Sequence, residues 1–349
     1  MRCIVAPERG RGGRPTAEVL DTVRHLGASF PDARLREVPV LRASELDAKA
    51  DPSGGTRIWL ALEALQVTGS FKVRGALLAL EALRERGRVV TASAGNHGAA
   101  VAYAASVLGM TATVCVPRTI ARAKRERIER YGADLVIAES DHYDDAEALG
   151  KQLAVRDGAP GTSFISAYDD ERVVLGNGSS LGFEIVRALG GVPEAVIAPF
   201  GGGGLATGLA WAMDAETREP RGRVVWGAQS EASCAMAMSL ERGAAVERLE
   251  TGGTTLAEGL EGGISKSAFE RARGAVAGVL VVTEEQIAAA MGHAYGDLGL
   301  VLEGSAAASL AAVLAGLPDG VCGGDLVVVL TGRNVDADRL EQARRLAAG

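Results

Sequence analysis

Short β-type runs alternate with amphipathic helical stretches along most of this 349-residue chain, and that alternation limits the possible folds more than any other feature. Apolar runs at 57–62, 89–93 and 112–116 are each followed by a helical pattern, at 73–86, 99–108 and 121–131. The same grammar returns at 195–199 before 205–213, at 224–228 before 234–242, and in a last run at 326–330. Parallel neighbours need crossover helices, so the pattern predicts an α/β fold with twisted, mostly parallel sheets and helices on both faces. No period of about 20–50 residues recurs, which excludes a solenoid. Two α/β domains fit the length, with a site where strand C-terminal ends face a cleft.

Charge and composition exclude other classes. With 37 Lys+Arg against 44 Asp+Glu the net charge is −7, which argues against a nucleic-acid partner, because phosphate neutralisation needs clustered positive charge. At 47% hydrophobic and 23% charged residues the chain is globular rather than disordered. No apolar run approaches the roughly 20 residues of a spanning helix and the N-terminus has no signal-like apolar segment, so no membrane association and a cytoplasmic location are expected. Cys3, Cys115, Cys234 and Cys322 are far apart and lack His neighbours, so reduced thiols are expected, with no metal site. Residues 1–14, rich in Arg and Gly, read as a mobile or loosely docked arm, and the short helix after Asn334 leaves no expected room for a regulatory domain.

Four stretches carry chemistry. Residues 66–76, QVTGSFKVRGA, turn out of a β-type run into a helix and set Lys72 near its N-terminus. The helix dipole and burial beside Phe71 both disfavour the ammonium form, and a neutral amine condenses with aldehydes; taken alone, a lysine there reads first as an ordinary solvated side chain. Residues 91–98, TASAGNHG, again join strand to helix. Backbone N–H groups across Ser93, Ala94, Gly95, Asn96 and His97 suit a carboxylate, and the Asn96 amide can donate to a phenolic oxygen, while Ser93 and Asn96 equally fit an N-cap pair.

Gly201, Gly202, Gly203 and Gly204 follow the run at 195–199, where successive unobstructed N–H groups can converge on a phosphate at a helix start. Leu209 after Gly208 excludes a Walker A loop, whereas Gly202, Gly204 and Gly208 followed by Glu231 keep a dinucleotide fold arguable. A glycine run wedged between an apolar strand and a helix makes a poor linker. Thr331, in TGRN after the last run, can offer one hydroxyl to a ring nitrogen or simply form a turn.

In this order, TGSFKVRGA, SAGNHG, the four glycines and TGRN resemble the pyridoxal-phosphate (PLP) enzymes of fold type II, in particular the serine/threonine dehydratase branch. The likeness runs from about Val38 to Asp336 and includes Ala167-Tyr168-Asp169-Asp170 and Glu303-Gly304-Ser305 in the expected order. It implies a two-domain enzyme in which 15–87 and 166–349 form the large PLP-binding domain and 88–165 the small one. It also implies that Lys72 holds pyridoxal 5'-phosphate as a Schiff base and removes the α-proton, that Phe71 packs on the ring, and that Asn96 bonds the ring oxygen. Gly201 to Gly204 would hold the phosphate, Thr331 would face the pyridine nitrogen, and the turn from Ser93 to His97 would seat the substrate carboxylate. The implied reaction is β-elimination from an L-β-hydroxy amino acid such as threonine or serine, giving a 2-oxo acid and ammonia, in a homodimer. An uncharged nitrogen partner leaves the ring a weak electron sink, which favours elimination over transamination.

Departures from the pattern sharpen this expectation. Ala94 stands where related serine racemases carry a second serine, so racemisation should be weak. Gln229 and Ala235 stand where cation-activated members place carboxylates, so no strong Mg²⁺ or Ca²⁺ dependence is expected. Gly176-Asn177-Gly178-Ser179 differs from the Gln and Thr more usual in dehydratases. The rival readings are a β-replacement synthase of the cysteine synthase type, a nucleotide-binding dehydrogenase that leaves Lys72 and Asn96 unexplained, and a non-catalytic binding protein of the same fold.

Overall fold

The computed structural model describes residues 1–7, 14–156, 162–217, 222–249 and 255–348. Eleven strands occur among the described residues: β1 (Arg2–Val5), β2 (Val40–Arg42), β3 (Thr56–Ala61), β4 (Arg88–Ala92), β5 (Thr111–Val116), β6 (Asp134–Ile137), β7 (Thr162–Ile165), β8 (Ala195–Pro199), β9 (Val225–Ser230), β10 (Gly278–Val282) and β11 (Gly324–Val329). Every run that alternates with a helix in the sequence becomes one of these strands, shifted by at most two residues at either end.

The chain divides into two compact units. The first comprises Met1–Arg24, Glu37–Leu65 and Gly178–Gly349, and its seven strands run in the order β1-β10-β9-β8-β11-β3-β2. From β10 to β3 all neighbours are parallel, while the edge strands β1 and β2 are antiparallel. Strands β8 and β10 are buried along their whole length, as parallel strands covered on both faces must be. Ile58, Leu60, Ile197, Leu280 and Val328 form the core beneath the helices Glu284–Gly296 and Gly304–Leu314. The second of these helices reads GSAAASLAAVL and is buried from Gly304 through Val313; its small side chains let a helix sit close against a sheet with no polar face to satisfy.

The second unit comprises His25–Arg36 and Gln66–Asn177, with an all-parallel sheet in the order β6-β5-β4-β7. Val90, Ala92 and Cys115 centre its core, against Leu149, Leu153 and Phe164. Strand β4 is the switch point: its neighbours β5 and β7 lie on opposite sides, so its C-terminal end opens into the crevice where ligands of such sheets bind.

Two expectations are corrected. Residues 2–5 are not a mobile arm, because β1 pairs with β10 from Arg2 opposite Val281 to Val5 opposite Gly278; four residues are too few to show a period, and the unpaired edge of β10 supplies the partner. Residues 8–13 of that arm lie outside the described residues. The division of the chain also differs from the expected boundaries, since 25–36, 66–87 and 166–177 join the unit built on β4. Close approach is the cause. The helix Lys72–Glu81 packs on the helix Asn96–Leu108, the Asn177 side chain accepts the Gly75 N–H at 2.9 Å, and a Cβ at Gly176 would meet the Arg74 carbonyl at 2.7 Å. Strand β10 escaped sequence reading because a short continuous apolar run has no period to distinguish strand from helix.

Removing residues 1–6 takes away β1 and bares the β10 edge. A cost of roughly 1–3 kcal/mol and a few degrees in Tm is expected, with a stronger tendency to self-associate, read by thermal melts and light scattering.

Candidate active site

The second unit places the lysine and the carboxylate turn together on neighbouring elements. Lys72 is the first residue of the helix Lys72–Glu81, half-buried, with its Nζ 5.0 Å from the centroid of the Phe71 ring. That helix packs on Asn96–Leu108, which opens directly from the end of β4. Ser93 extends the β4–β5 ladder by donating its N–H to the Cys115 carbonyl at 3.1 Å, and its side chain accepts the Gly95 N–H at 3.2 Å. The N-cap position is Gly95, which has no side chain, so the N-cap pair that Ser93 and Asn96 allow does not form. The helix thus begins without a capping bond from its N-cap side chain. Gly98 makes the turn possible, because a Cβ there would sit 2.3 Å from the Ser93 carbonyl oxygen.

Electrostatics at this turn are set by His97. Its side chain is buried, with no hydrogen-bond partner for either ring nitrogen, and its pKa is pushed down from 6.5 to about 3. Burial is the main cause and the positive charge of Lys72 the second, against a smaller upward pull from the Ile165 backbone, which lies near without forming a bond of normal geometry. His97 is therefore neutral at physiological pH. The Ser70 hydroxyl, two residues before Lys72, is also buried without a partner.

The first unit holds the glycine loop and the threonine. Gly203 is the N-cap of the helix Gly204–Glu216, with φ +84° in the left-handed region that favours glycine, so this helix also begins without a capping side chain. Phe200 clamps the loop from below. Its N–H donates to the Ala228 carbonyl at 2.8 Å, its carbonyl accepts the Gln229 side chain at 3.0 Å, and its ring fills the space that a Cβ on Gly203 or Gly227 would need. The other end of Gln229 accepts the Ala237 N–H at 3.0 Å, so both polar atoms of that side chain are engaged in holding the loop. Because β8 and β11 pair in parallel, with Ile197 opposite Val328, Thr331 emerges level with Phe200 at the same end of the adjacent strand. Thr331 is buried, and the Gly332 carbonyl accepts the Glu303 N–H at 3.1 Å.

Residues 34–332 match the family model described as "Pyridoxal-phosphate dependent enzyme". This chain belongs to that family. Among its relatives is the L-threonine ammonia-lyase of Thermotoga maritima, 37% identical over 82% of this chain and 70% of its own length. The crystal structure of a T.th. threonine deaminase superposes with a TM-score of 0.79 at 32% identity, covering 92% of this chain and 99% of that one. The processed form of threonine deaminase isoform 2 from Solanum lycopersicum superposes at 0.83 with 26% identity, covering 99% and 92% respectively.

The residues of this PLP-dependent enzyme fit the cofactor of its family. Each unit by itself carries features suited to an anionic ligand: in the second, a helix start on Gly95, an amine beside an aromatic ring and the buried, unpartnered Ser70 hydroxyl and His97 ring; in the first, a helix start on Gly203, which has no room for a Cβ. Sequence reading missed Gly98 as a structural requirement, although its motif was in view. It also missed two contacts made by residues within quoted motifs: the Thr91 hydroxyl donates to the Ile165 carbonyl at 2.8 Å, and the Ser305 hydroxyl accepts the Gly259 N–H at 2.8 Å. These hydroxyls join positions 74 and 46 residues apart, and no local pattern announces them. Among the described residues no group of three or more His, Cys, Asp or Glu is arranged to hold a metal ion.

Gly98→Ala drives a Cβ into backbone, which cannot swing away. The variant is expected to lose turnover by about a hundredfold or more while retaining the far-ultraviolet spectrum of the fold, since reacting groups misplaced by about 1 Å lose that much. His97 gives a pH signature. The unfolded imidazole takes up its proton near pH 6.5 and the folded one near pH 3, so in that window the unfolded chain binds more protons. Its contribution to stability is complete above the unfolded value and is lost on acidification towards pH 3, by up to roughly 1.4 kcal/mol per pH unit. Urea melts from about pH 7 to about pH 4 should show a shallower acid loss in His97→Asn than in the parent; identical slopes would contradict the assignment.

Proposed function

We propose that this chain is a PLP-dependent ammonia-lyase that eliminates the β-hydroxyl of an L-hydroxy amino acid, threonine or serine, and releases a 2-oxo acid and ammonia. The observation that carries the reading is the turn after β4: an uncapped helix start beside a lysine whose neighbouring histidine is neutral. The T. maritima relative, an L-threonine ammonia-lyase, and the threonine deaminase structures support the same reaction class.

When bound, pyridoxal phosphate supplies an aldehyde for amines and a conjugated ring that withdraws electrons from the α-carbon. In the proposal Lys72 would be the amine that holds the cofactor, and its free amine would serve as the base for the α-proton, a role worth on the order of 10²–10⁴-fold. Phe71 supports the ring, Asn96 donates to its phenolic oxygen, and the N–H groups of Gly201, Gly202, Gly203 and Gly204 take the phosphate. Thr331 would offer the ring nitrogen a neutral hydroxyl, a partner that would disfavour transamination. Backbone N–H groups from Ser93 to His97 hold the substrate carboxylate. A neutral His97 keeps that turn from carrying a second titrating cation, so carboxylate binding should vary little around neutral pH on its account. Ala94 places a methyl where a hydroxyl could return a proton to the opposite face, which supports weak racemisation. A homodimer belongs to the same proposal, and sedimentation velocity of the holoenzyme reads it directly.

The purified protein should be yellow, and Lys72→Ala should lose both the visible absorption band and at least about 10³-fold in 2-oxo acid release. A variant that retains both sinks the assignment of Lys72. Serine and threonine supplied with and without sulfide separate elimination from replacement: an oxo acid in both cases supports the lyase, and a new amino acid formed only with sulfide supports the synthase.

A further inference from the structure

The hydrogen-bond accounting at the end of β4 leaves one carbonyl to explain. The last β4–β7 pair is Thr91 with Ile165, so Ala92 lies one residue past the end of β7. Ser93 donates its N–H towards β5, to Cys115, and across a planar trans peptide the Ala92 carbonyl points the opposite way, to the side where β7 has stopped. Ala92 is 2% exposed, and a buried carbonyl without a donor is strongly disfavoured.

Tyr143 supplies the donor. It is the first residue of the helix Tyr143–Arg156, and its hydroxyl donates to the Ala92 carbonyl oxygen at 3.3 Å. The residue as a whole is 38% exposed, but this bond lies in partly buried surroundings. Burial of the hydroxyl, and after it Tyr168, Glu147, Asp144 and Asp169, hold the Tyr143 pKa above the ordinary tyrosine range, so the phenol stays a donor across working pH. The tyrosine thus holds the peptide that leads into residues 93–97 from the side the sheet leaves open.

We propose that Tyr143 is a positioning residue, whose hydroxyl anchors the Ala92 carbonyl and thereby sets the pose of the turn that receives the substrate carboxylate. The role rests on the function proposed above, while the anchoring itself does not. Tyr143→Phe keeps the ring and deletes only the donor. In the full-length chain without added cofactor, amide hydrogen exchange across 93–98 should quicken by roughly tenfold, with β5 amides unchanged. In the loaded enzyme KM for the amino acid should rise by about the same factor with kcat within about twofold, because the bond orients a binding element and touches no reacting atom.

Tyr143→Gln, which restores a donor on an unbranched side chain, should recover part of the protection and also serves if the phenylalanine variant does not fold. Exchange across 93–98 indistinguishable between parent and Tyr143→Phe, or equal loss in the Gln and Phe variants, overturns the anchoring. A fall in kcat at constant KM overturns the positioning role. A parent chain that neither colours with pyridoxal phosphate nor releases oxo acid overturns the proposed function instead, and leaves the exchange result to decide the anchor.

Discussion

Two helices of this chain start on glycine straight from the C-terminal ends of parallel strands, and the chemistry depends on what those starts leave undone. The helices Asn96–Leu108 and Gly204–Glu216 have Gly95 and Gly203 as N-caps, so no side chain takes up the first N–H groups. An ordinary helix spends a serine, threonine or aspartate there and gains about 1 kcal/mol. Forgoing that gain twice leaves two helix starts of the kind at which backbone donors can meet an anion without reorganisation. The helix Ser265 caps, in the same chain, shows the ordinary solution: its side chain accepts the Ala268 N–H at 3.2 Å.

Holding such seats in place requires everything around them to be overdetermined. Phe200 is pinned by its N–H, its carbonyl and its ring, and the glycines at 203 and 227 exist partly to make space for that ring. On the other unit Gly98 lets the Ser93 carbonyl fold over the helix start, while Thr91 and Tyr143 satisfy carbonyls that the end of β7 leaves on either side of the turn. At Gly98 the approach is of backbone to backbone, and at Gly203 and Gly227 of backbone to a buried ring. A side chain added at such a point cannot rotate out of the way.

Charge is handled with comparable economy. Burying His97 near Lys72 keeps the imidazole neutral around physiological pH. Thr331, read from the sequence as the ring-nitrogen partner, would in the proposed site offer a neutral hydroxyl as well.

Much of this was legible in the amino-acid order. The alternation of apolar runs with helical periods determined a parallel α/β architecture, and the four ordered motifs pointed to the cofactor class, because a βα turn suited to an anion needs small residues at fixed spacing. Tertiary structure alone decided that residues 2–5 close a sheet edge, since four residues carry no period and their partner lies far along the chain, at 278–281. It also decided that the segment bearing Lys72 folds with β4, that His97 is neutral, and that Tyr143 reaches Ala92. Each of these depends on which atoms burial brings together and where a neighbouring strand happens to stop, and neither is written in local pattern.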